Sequence, residues 1–178
     1  METVQVKDKK FKIFLSEEEI KARVREVAKT ISQDLSGKNP LFLAVLNGSF
    51  VFAADLIRNI DIPCEITFVR MASYVGTQST GQVKQLIGLN EVIEGRTIVV
   101  IEDIIDTGFT MRELVNVLKG KHPAEIRIAS LLVKPKSIKV ELNIDYHCFD
   151  IPNDFIVGYG LDYDGEGRNL RAIYSVID

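Results

Sequence analysis

Residues 97–110 read TIVVIEDIIDTGFT and join an apolar run to a polar turn. The first five residues, 97–101, are apolar or β-branched, which is typical of a buried strand. Three carboxylates follow, because Glu102 and Asp103 are adjacent and Asp106 lies three residues further on. The pattern predicts acidic side chains at the carboxyl end of a core strand.

A turn of small and hydroxyl-bearing residues comes after the acids. Thr110 and Glu113 have the spacing of a capping box, which predicts a helix from Thr110 to Gly120. Free N–H groups at a helix start bind phosphate, and glycine at 108 permits close backbone approach. Adjacent carboxylates accept hydrogen bonds from sugar hydroxyls or hold hydrated Mg²⁺, and a separate carboxylate can accept a proton. A solvated acidic loop is the alternative, but clustered like charges cost stability unless a cation offsets them.

The rest of the chain alternates apolar strands with amphipathic helices. A helix is predicted from the Ser16–Glu19 capping box to Gly37, and a second one from a Ser49 cap to about Arg58. Further strands are predicted at residues 41–46, 62–71, 83–88, 126–133, 155–157 and 172–176. This order predicts one α/β domain over residues 1–178, with a mostly parallel twisted sheet flanked by helices. Ligands of such sheets bind outside the carboxyl ends of the strands.

The segment from Ala72 to Lys84 lacks core periodicity and is rich in glycine, serine and threonine. It is predicted to be a long exposed loop. Its length and position favour a lid over a disordered tip.

Composition excludes several classes of protein. The 178 residues are 46% hydrophobic and 26% charged, which is typical of a globular domain. The net charge of −3 argues against a nucleic-acid partner, because such proteins usually carry a basic excess. The amino terminus has no long apolar run, so neither a signal peptide nor a membrane partner is expected. Two cysteines without metal-like spacing, Cys64 and Cys148, favour the reducing cytoplasm.

The segment IEDIIDTGFT at 101–110 closely resembles the phosphoribosyl-pyrophosphate-binding signature of the type I phosphoribosyltransferases. The resemblance covers most of the chain from about Leu41 onward and is strongest to the hypoxanthine-guanine phosphoribosyltransferases. The other matching segments are LNGS at 46–49, SYVGTQSTG at 73–81, LLVKPKS at 131–137, IPNDFIVGYGLDY at 151–163, and Arg168. Several separate motifs in the right order make this resemblance specific.

The resemblance implies an activity and a set of partners. The enzyme would transfer the 5-phosphoribosyl group from phosphoribosyl pyrophosphate to N9 of hypoxanthine or guanine, giving IMP or GMP and pyrophosphate in purine salvage. It would use Mg²⁺, form a homodimer or homotetramer, and carry a small hood formed by the terminal segments.

The resemblance also implies a role for each matching residue. Asp106 would be the general base near N7 of the purine, and Glu102 and Asp103 would bind the ribose hydroxyls, partly through Mg²⁺. Lys134 would hydrogen-bond the purine 6-oxo group, and Phe155 would stack on the base.

The remaining implied contacts surround the phosphates, the metal and the edge of the base. They are Thr107, Gly108, Phe109 and Thr110 at the 5′-phosphate; Leu46, Asn47, Gly48 and Arg168 at pyrophosphate; Asp162 at Mg²⁺; Ile104 and Ile156 at the substrates; and Ser73 and Tyr74 in the segment 72–84, which resembles the mobile flap of this family. The loop at 46–48 often contains a cis peptide bond in this family. Asn47 stands where many members carry a basic residue.

Two alternatives remain open at this point. The first is a phosphoribosyltransferase for xanthine, adenine or a pyrimidine, although Lys134 beside a 6-oxo group disfavours adenine. The second is an RNA-binding regulator on the same fold, such as the pyrimidine attenuation regulators, because one scaffold hosts several functions. The negative net charge and the purine-type segment 151–163 count against the regulator.

Overall fold

The computed structural model describes residues 3–75 and 82–177, with only the backbone described at 73–75 and 82–85. Its strands are β1 (Thr3–Val6), β2 (Lys9–Leu15), β3 (Leu41–Val45), β4 (Glu65–Val75), β5 (Gln82–Ile87), β6 (Thr97–Ile105), β7 (Glu125–Val133), β8 (Tyr146–Asp150), β9 (Ile156–Val157) and β10 (Ile173–Val176). Its helices are α1 (Glu17–Asp34), α2 (Phe50–Arg58) and α3 (Phe109–Lys119), with a short 3₁₀ turn at Pro135–Ser137.

A six-stranded sheet forms the centre of the fold, in the order β5-β4-β3-β6-β7-β8. Every pairing in it is parallel except that of β4 with β5, so the predicted α/β fold with a mostly parallel sheet is confirmed. Since β3 and β6 lie in the middle, their carboxyl ends are central at one edge of the sheet.

Both faces of this sheet are covered, which explains the apolar runs of its strands. In β3, Phe42 and Ala44 pack with α1 and α2, whereas Leu41, Leu43 and Val45 pack with α3. No helix within residues 3–75 and 82–177 is long and apolar enough to cross a membrane.

A second sheet forms the predicted hood from the terminal segments. It is antiparallel, in the order β1-β2-β10-β9, and its small core includes Phe11, Val157 and Tyr174. The segment between β8 and β9 connects the central sheet to the hood.

The predicted helix starts have different outcomes. The Ser16 capping box is confirmed, because Ser16 Oγ accepts from the Glu19 N–H at 3.2 Å and Glu19 Oε2 accepts from the Ser16 N–H at 2.8 Å. The helix predicted from Ser49 to about Arg58 is confirmed with Ser49 at the N-cap position, but the side-chain cap bond is absent, because that buried hydroxyl donates to the Val45 carbonyl at 2.6 Å. The capping box at Thr110 is wrong, because α3 begins one residue earlier and Gly108 occupies the cap position.

The flap prediction is corrected in part. Ala72 to Val75 continue β4, and Gln82 to Lys84 belong to β5, so these parts are a strand pair rather than loop. The tip of the predicted lid, residues 76–81, lies outside the described residues. Strand β6 is also longer than predicted, because it runs past Ile101 to Ile105 and contains Glu102 and Asp103.

Candidate active site

Two carboxylates lie near the carboxyl end of the central strand β6. Glu102 still pairs with Ser130 of β7, which fixes its position at the carboxyl edge of the sheet. Its Oε1 accepts from the Asp103 N–H at 3.0 Å, and Asp103 Oδ1 accepts from the Ile104 N–H at 2.8 Å. Burial, followed by the neighbouring negative charge of Asp103, raises the pKa of Glu102 well above its ordinary value. The pair is therefore a place where a cation or sugar hydroxyls would relieve unfavourable negative charge.

The turn after β6 forms a small cradle at the start of α3. Gly108 has φ of 84°, and its N-cap position has no side-chain cap among the described residues. The N–H groups of the first helical turn, at Phe109, Thr110 and Met111, have no carbonyl four residues earlier in the helix to bond. A cavity of about 120 Å³ lies there, lined by Glu102, Ile104, Ile105, Asp106, Thr107, Gly108, Thr110 and Met111. Such a helix start binds a phosphate group.

Lys134 follows the end of β7 and points its ammonium toward the same edge. The residue is 9% exposed, and Nζ lies 3.5 Å from Asp106 Oδ2. Nζ also lies 3.4 Å from Asn153 Oδ1. The Asp106 side chain is half exposed, so its carboxylate is open to a ligand. A hydrogen-bond donor and a carboxylate therefore lie side by side at the centre of the sheet edge.

The loop 46–48 after β3 lies against the acidic pair. The Leu46–Asn47 peptide bond is cis, as the resemblance implies. A Cβ atom at Gly48 would lie 1.6 Å from Asp103 Oδ2, so only glycine fits beside that carboxylate. The structure thus brings this loop and Asp103 together.

The turn 158–161 contacts the same loop 46–48 and holds Arg168 beside it. A Cβ atom at Gly160 would lie 2.2 Å from the Gly48 carbonyl oxygen. Arg168 Nη1 donates to the Gly160 carbonyl at 2.8 Å, and its Nη2 lies 3.0 Å from Asp162 Oδ1. The guanidinium is consequently fixed next to the loop 46–48.

Phe155 and Ile156 lie where the connection from β8 enters the hood. Phe155 is 45% exposed and has its ring centroid 5.6 Å from that of Tyr163 in an edge-on contact. Ile156 is buried in β9, and Phe155 follows Asn153 by two residues. The exposed part of the Phe155 ring is available to stack on a planar ligand, and the residue lies on the same connection as Asn153, which contacts the Lys134 ammonium.

The predicted flap residues Ser73 and Tyr74 have only their backbone described. They pair with Lys84 and Val83 in the β4–β5 ladder, at the edge of the central sheet. Their predicted side-chain contacts lie outside the described residues.

The three predicted metal ligands do not form one cluster. Within the part of the chain that the structure describes, no group of three or more His, Cys, Asp or Glu side chains could hold a metal ion. Glu102 and Asp103 form one acidic pair, whereas Asp162 bonds Arg168 and the Gly165 N–H. This arrangement fits Mg²⁺, which keeps several waters and binds through one or two carboxylates together with substrate oxygens.

The prediction from sequence missed two residues that contact the site. Asn153 bonds the Lys134 ammonium, and Gly160 supports the loop 46–48. The alternating glycines of the Gly-Tyr-Gly segment at 158–160 are the signal for Gly160, since glycine marks positive φ and close approach. No local pattern marks Asn153, because its contact depends on how β7 and the following connection pack.

Replacement of Gly160 by alanine is expected to lower kcat/KM by about 10²-fold, because displacing the loop 46–48 by roughly 1 Å misplaces groups at the reacting centre. The φ of Gly160 is 101° and the Gly48 oxygen blocks a side chain, so the loop or the turn must shift. Steady-state kinetics of the purified variant measures this effect.

Gly37→Ala is the matched control. Gly37 also has positive φ, at 79°, but a Cβ atom there meets nothing within 4 Å, and the residue precedes β3 at the opposite edge of the sheet. This variant is expected to lose about 1 kcal/mol of stability with unchanged kinetics. Equal kinetic losses in both variants would contradict the role given to the Gly160 contact.

Comparison with known proteins agrees with this geometry. The phosphoribosyl transferase domain family matches residues 12–164. The hypoxanthine-guanine phosphoribosyltransferase of Streptococcus thermophilus is 45% identical over 163 residues, covering 91% of both chains. The enzyme of the same name from Lactococcus lactis is 43% identical, covering 91% of this chain and 88% of the relative.

Solved structures give the same result. A hypoxanthine-guanine phosphoribosyltransferase from Bacillus anthracis superposes with a TM-score of 0.85 at 40% identity, covering 93% of this chain and 98% of the other. A hypoxanthine phosphoribosyltransferase from Staphylococcus aureus has a TM-score of 0.86 at 36% identity, covering 93% and 91%.

Proposed function

The chain belongs to the phosphoribosyl transferase domain family, and we propose that it transfers the 5-phosphoribosyl group from phosphoribosyl pyrophosphate to N9 of hypoxanthine or guanine. The products are IMP or GMP and pyrophosphate, so the reaction is one of purine salvage. The named relatives at 43–45% identity over nine-tenths of the chain support this activity.

The contact that carries the choice of base is the 3.5 Å pair of Lys134 and Asp106. In hypoxanthine and guanine, the 6-oxo group and N7 are neighbours on one edge of the ring. The ammonium donates to the 6-oxo group, while the carboxylate accepts the proton of N7. Adenine presents a 6-amino donor to the ammonium, and a pyrimidine has no N7. The pair therefore favours 6-oxopurines.

The chemistry follows from the positions of these groups. The bond between the anomeric carbon and the pyrophosphate oxygen breaks as N9 bonds to that carbon, and the sugar passes through an oxocarbenium-like state. Asp106 takes the N7 proton, and its charge together with that of Glu102 and Asp103 favours the cationic sugar. Arg168, held by Asp162 and Gly160, stabilises the leaving pyrophosphate.

The remaining groups orient the donor and exclude water. The first-turn N–H groups of α3 bind the 5′-phosphate, and the exposed ring of Phe155 stacks on the base. Mg²⁺ bound by Glu102 and Asp103, with Asp162 as a further ligand, would neutralise charge on the leaving pyrophosphate. Closure of the β4–β5 segment, with Ser73 and Tyr74, would keep water from the activated sugar.

The assay that tests this function supplies phosphoribosyl pyrophosphate and Mg²⁺ with one base at a time. Rapid nucleotide formation is expected with hypoxanthine or guanine, at a kcat/KM at least about 10²-fold above that for adenine, because an adenine 6-amino group presents a second hydrogen-bond donor to the buried Lys134 ammonium and cannot accept from it. Chromatography of the products measures each rate, with xanthine and uracil completing the set.

Two results would contradict the proposal. Product with uracil alone would indicate a pyrimidine enzyme, and binding of pyrimidine-operon leader RNA without any nucleotide product would indicate the regulator. We also propose that the enzyme works in the cytoplasm. We further propose that it forms a homodimer or homotetramer, and size-exclusion chromatography with light scattering measures this oligomeric state.

A further inference from the structure

A buried hydrogen bond joins two segments that border the proposed pyrophosphate site. Tyr159 is 3% exposed, and its hydroxyl donates to Asp55 Oδ2 at 2.5 Å. Asp55 lies in α2, the helix that follows the loop 46–48, and Tyr159 lies in the turn 158–161. The bond therefore fastens this turn to the helix directly after the loop.

The backbone of the turn needs such support. Gly158, Tyr159 and Gly160 have φ values of 105°, 50° and 101° in succession. Glycine adopts these values without steric cost, but a bulky residue such as tyrosine rarely does. The Tyr159 N–H donates to the Leu170 carbonyl at 2.9 Å, so the residue is held at its backbone and at the far end of its side chain.

A shift of this turn would reach the site through Gly160. The Gly160 N–H donates to the Arg168 carbonyl at 3.0 Å, and its carbonyl accepts from Arg168 Nη1 at 2.8 Å. Gly160 also lies so close to the Gly48 oxygen that no side chain fits between them. One turn thus sets the position of the guanidinium and of the loop 46–48.

We propose that Tyr159 and Asp55 are positioning residues whose hydrogen bond holds Arg168 and the loop 46–48 in the geometry that binds the pyrophosphate group of the donor. The inference rests on the proposed function, because it requires pyrophosphate beside Arg168. Burial raises the pKa of Tyr159, so its hydroxyl stays protonated and keeps donating throughout the physiological pH range.

Tyr159→Phe removes the hydroxyl while keeping the ring. The KM for phosphoribosyl pyrophosphate and the Kd for inorganic pyrophosphate with Mg²⁺ are expected to rise about tenfold, the factor typical of losing one hydrogen bond to a charged group. The KM for hypoxanthine should change less than about twofold, since the Lys134 ammonium is held by Asp106 and Asn153 and distant effects are usually small. Steady-state kinetics and calorimetry measure these quantities.

Tyr146→Phe is the matched control. Tyr146 is also buried, and its hydroxyl donates to Asp34 Oδ2 at 2.9 Å. It is the first residue of β8, at the sheet edge opposite the site, and Asp34 ends α1. Both tyrosine variants lose one buried hydrogen bond and should show a similar fall in Tm. In Tyr146→Phe, however, the KM of each substrate should stay unchanged.

Asp55 supplies the second pair of variants. Asp55→Asn retains an oxygen that accepts the hydrogen bond of the tyrosine hydroxyl, so binding of phosphoribosyl pyrophosphate should stay near normal. Asp55→Ala should reproduce the effect of Tyr159→Phe. An unchanged KM for phosphoribosyl pyrophosphate in Tyr159→Phe would overturn the proposal, and so would an equal rise in the KM of both substrates. If the unaltered protein converts no base, the proposed function itself fails, and calorimetry with pyrophosphate still reports whether Tyr159 affects that site.

Discussion

Asp106→Asn is expected to lower kcat by about 10²–10⁴-fold, because removal of a general base typically costs that much. Asparagine matches aspartate in size but cannot take the N7 proton. The KM for phosphoribosyl pyrophosphate should change little, since the first-turn N–H groups of α3 and the Arg168 guanidinium are untouched. Single-turnover kinetics separates this loss in the chemical step from product release.

The substitution also removes a negative charge 3.5 Å from the Lys134 ammonium. Asp154→Asn is the control for charge alone, because Asp154 is exposed and lies next to Asn153 on the same connection. Its kcat should stay within about twofold of normal, since an exposed charge is screened by solvent. Turnover near normal in Asp106→Asn would remove Asp106 from proton transfer.

The sequence predicts five of the six strands of the central sheet, because local pattern and tertiary position agree there, but it misses the edge strand β8. The strands β3 and β6 are buried on both faces, so their apolar runs are strong signals. The hood strands β1 and β2 were missed, although Phe11 is buried between exposed lysines in an alternating pattern. Strand β2 pairs with β10, which lies at the other end of the chain, and no local signal specifies such a contact.

The site shows the same limit. The acids at 102, 103 and 106 lie within five consecutive residues, so a short motif identifies them. Ser49 occupies the N-cap position of α2 as predicted, but its cap bond is absent because the buried hydroxyl donates to the Val45 carbonyl instead. Contacts such as Asn153 with Lys134 join separate segments and become visible only when the chain is folded.

Removal of divalent cations is expected to lower the rate by roughly 10³-fold or more, because metal stabilisation of charge is worth several kcal/mol and each 1.36 kcal/mol is a factor of ten. Glu102 and Asp103 supply the acidic pair, and burial beside a second carboxylate disfavours the charge of Glu102 when no cation is near. Turnover after treatment with EDTA and desalting measures the effect.

The controls separate a catalytic metal from a structural one. Readdition of Mg²⁺ should restore the rate, while the Tm should stay the same throughout, because the described fold contains no cluster of three ligands that would need a metal to close it. Asp103→Asn removes one carboxylate of the pair, so the Mg²⁺ concentration for half-maximal rate should rise by about tenfold or more. Full activity after exhaustive chelation would reject Glu102, Asp103 and Asp162 as metal ligands and leave the acidic pair to the ribose hydroxyls alone.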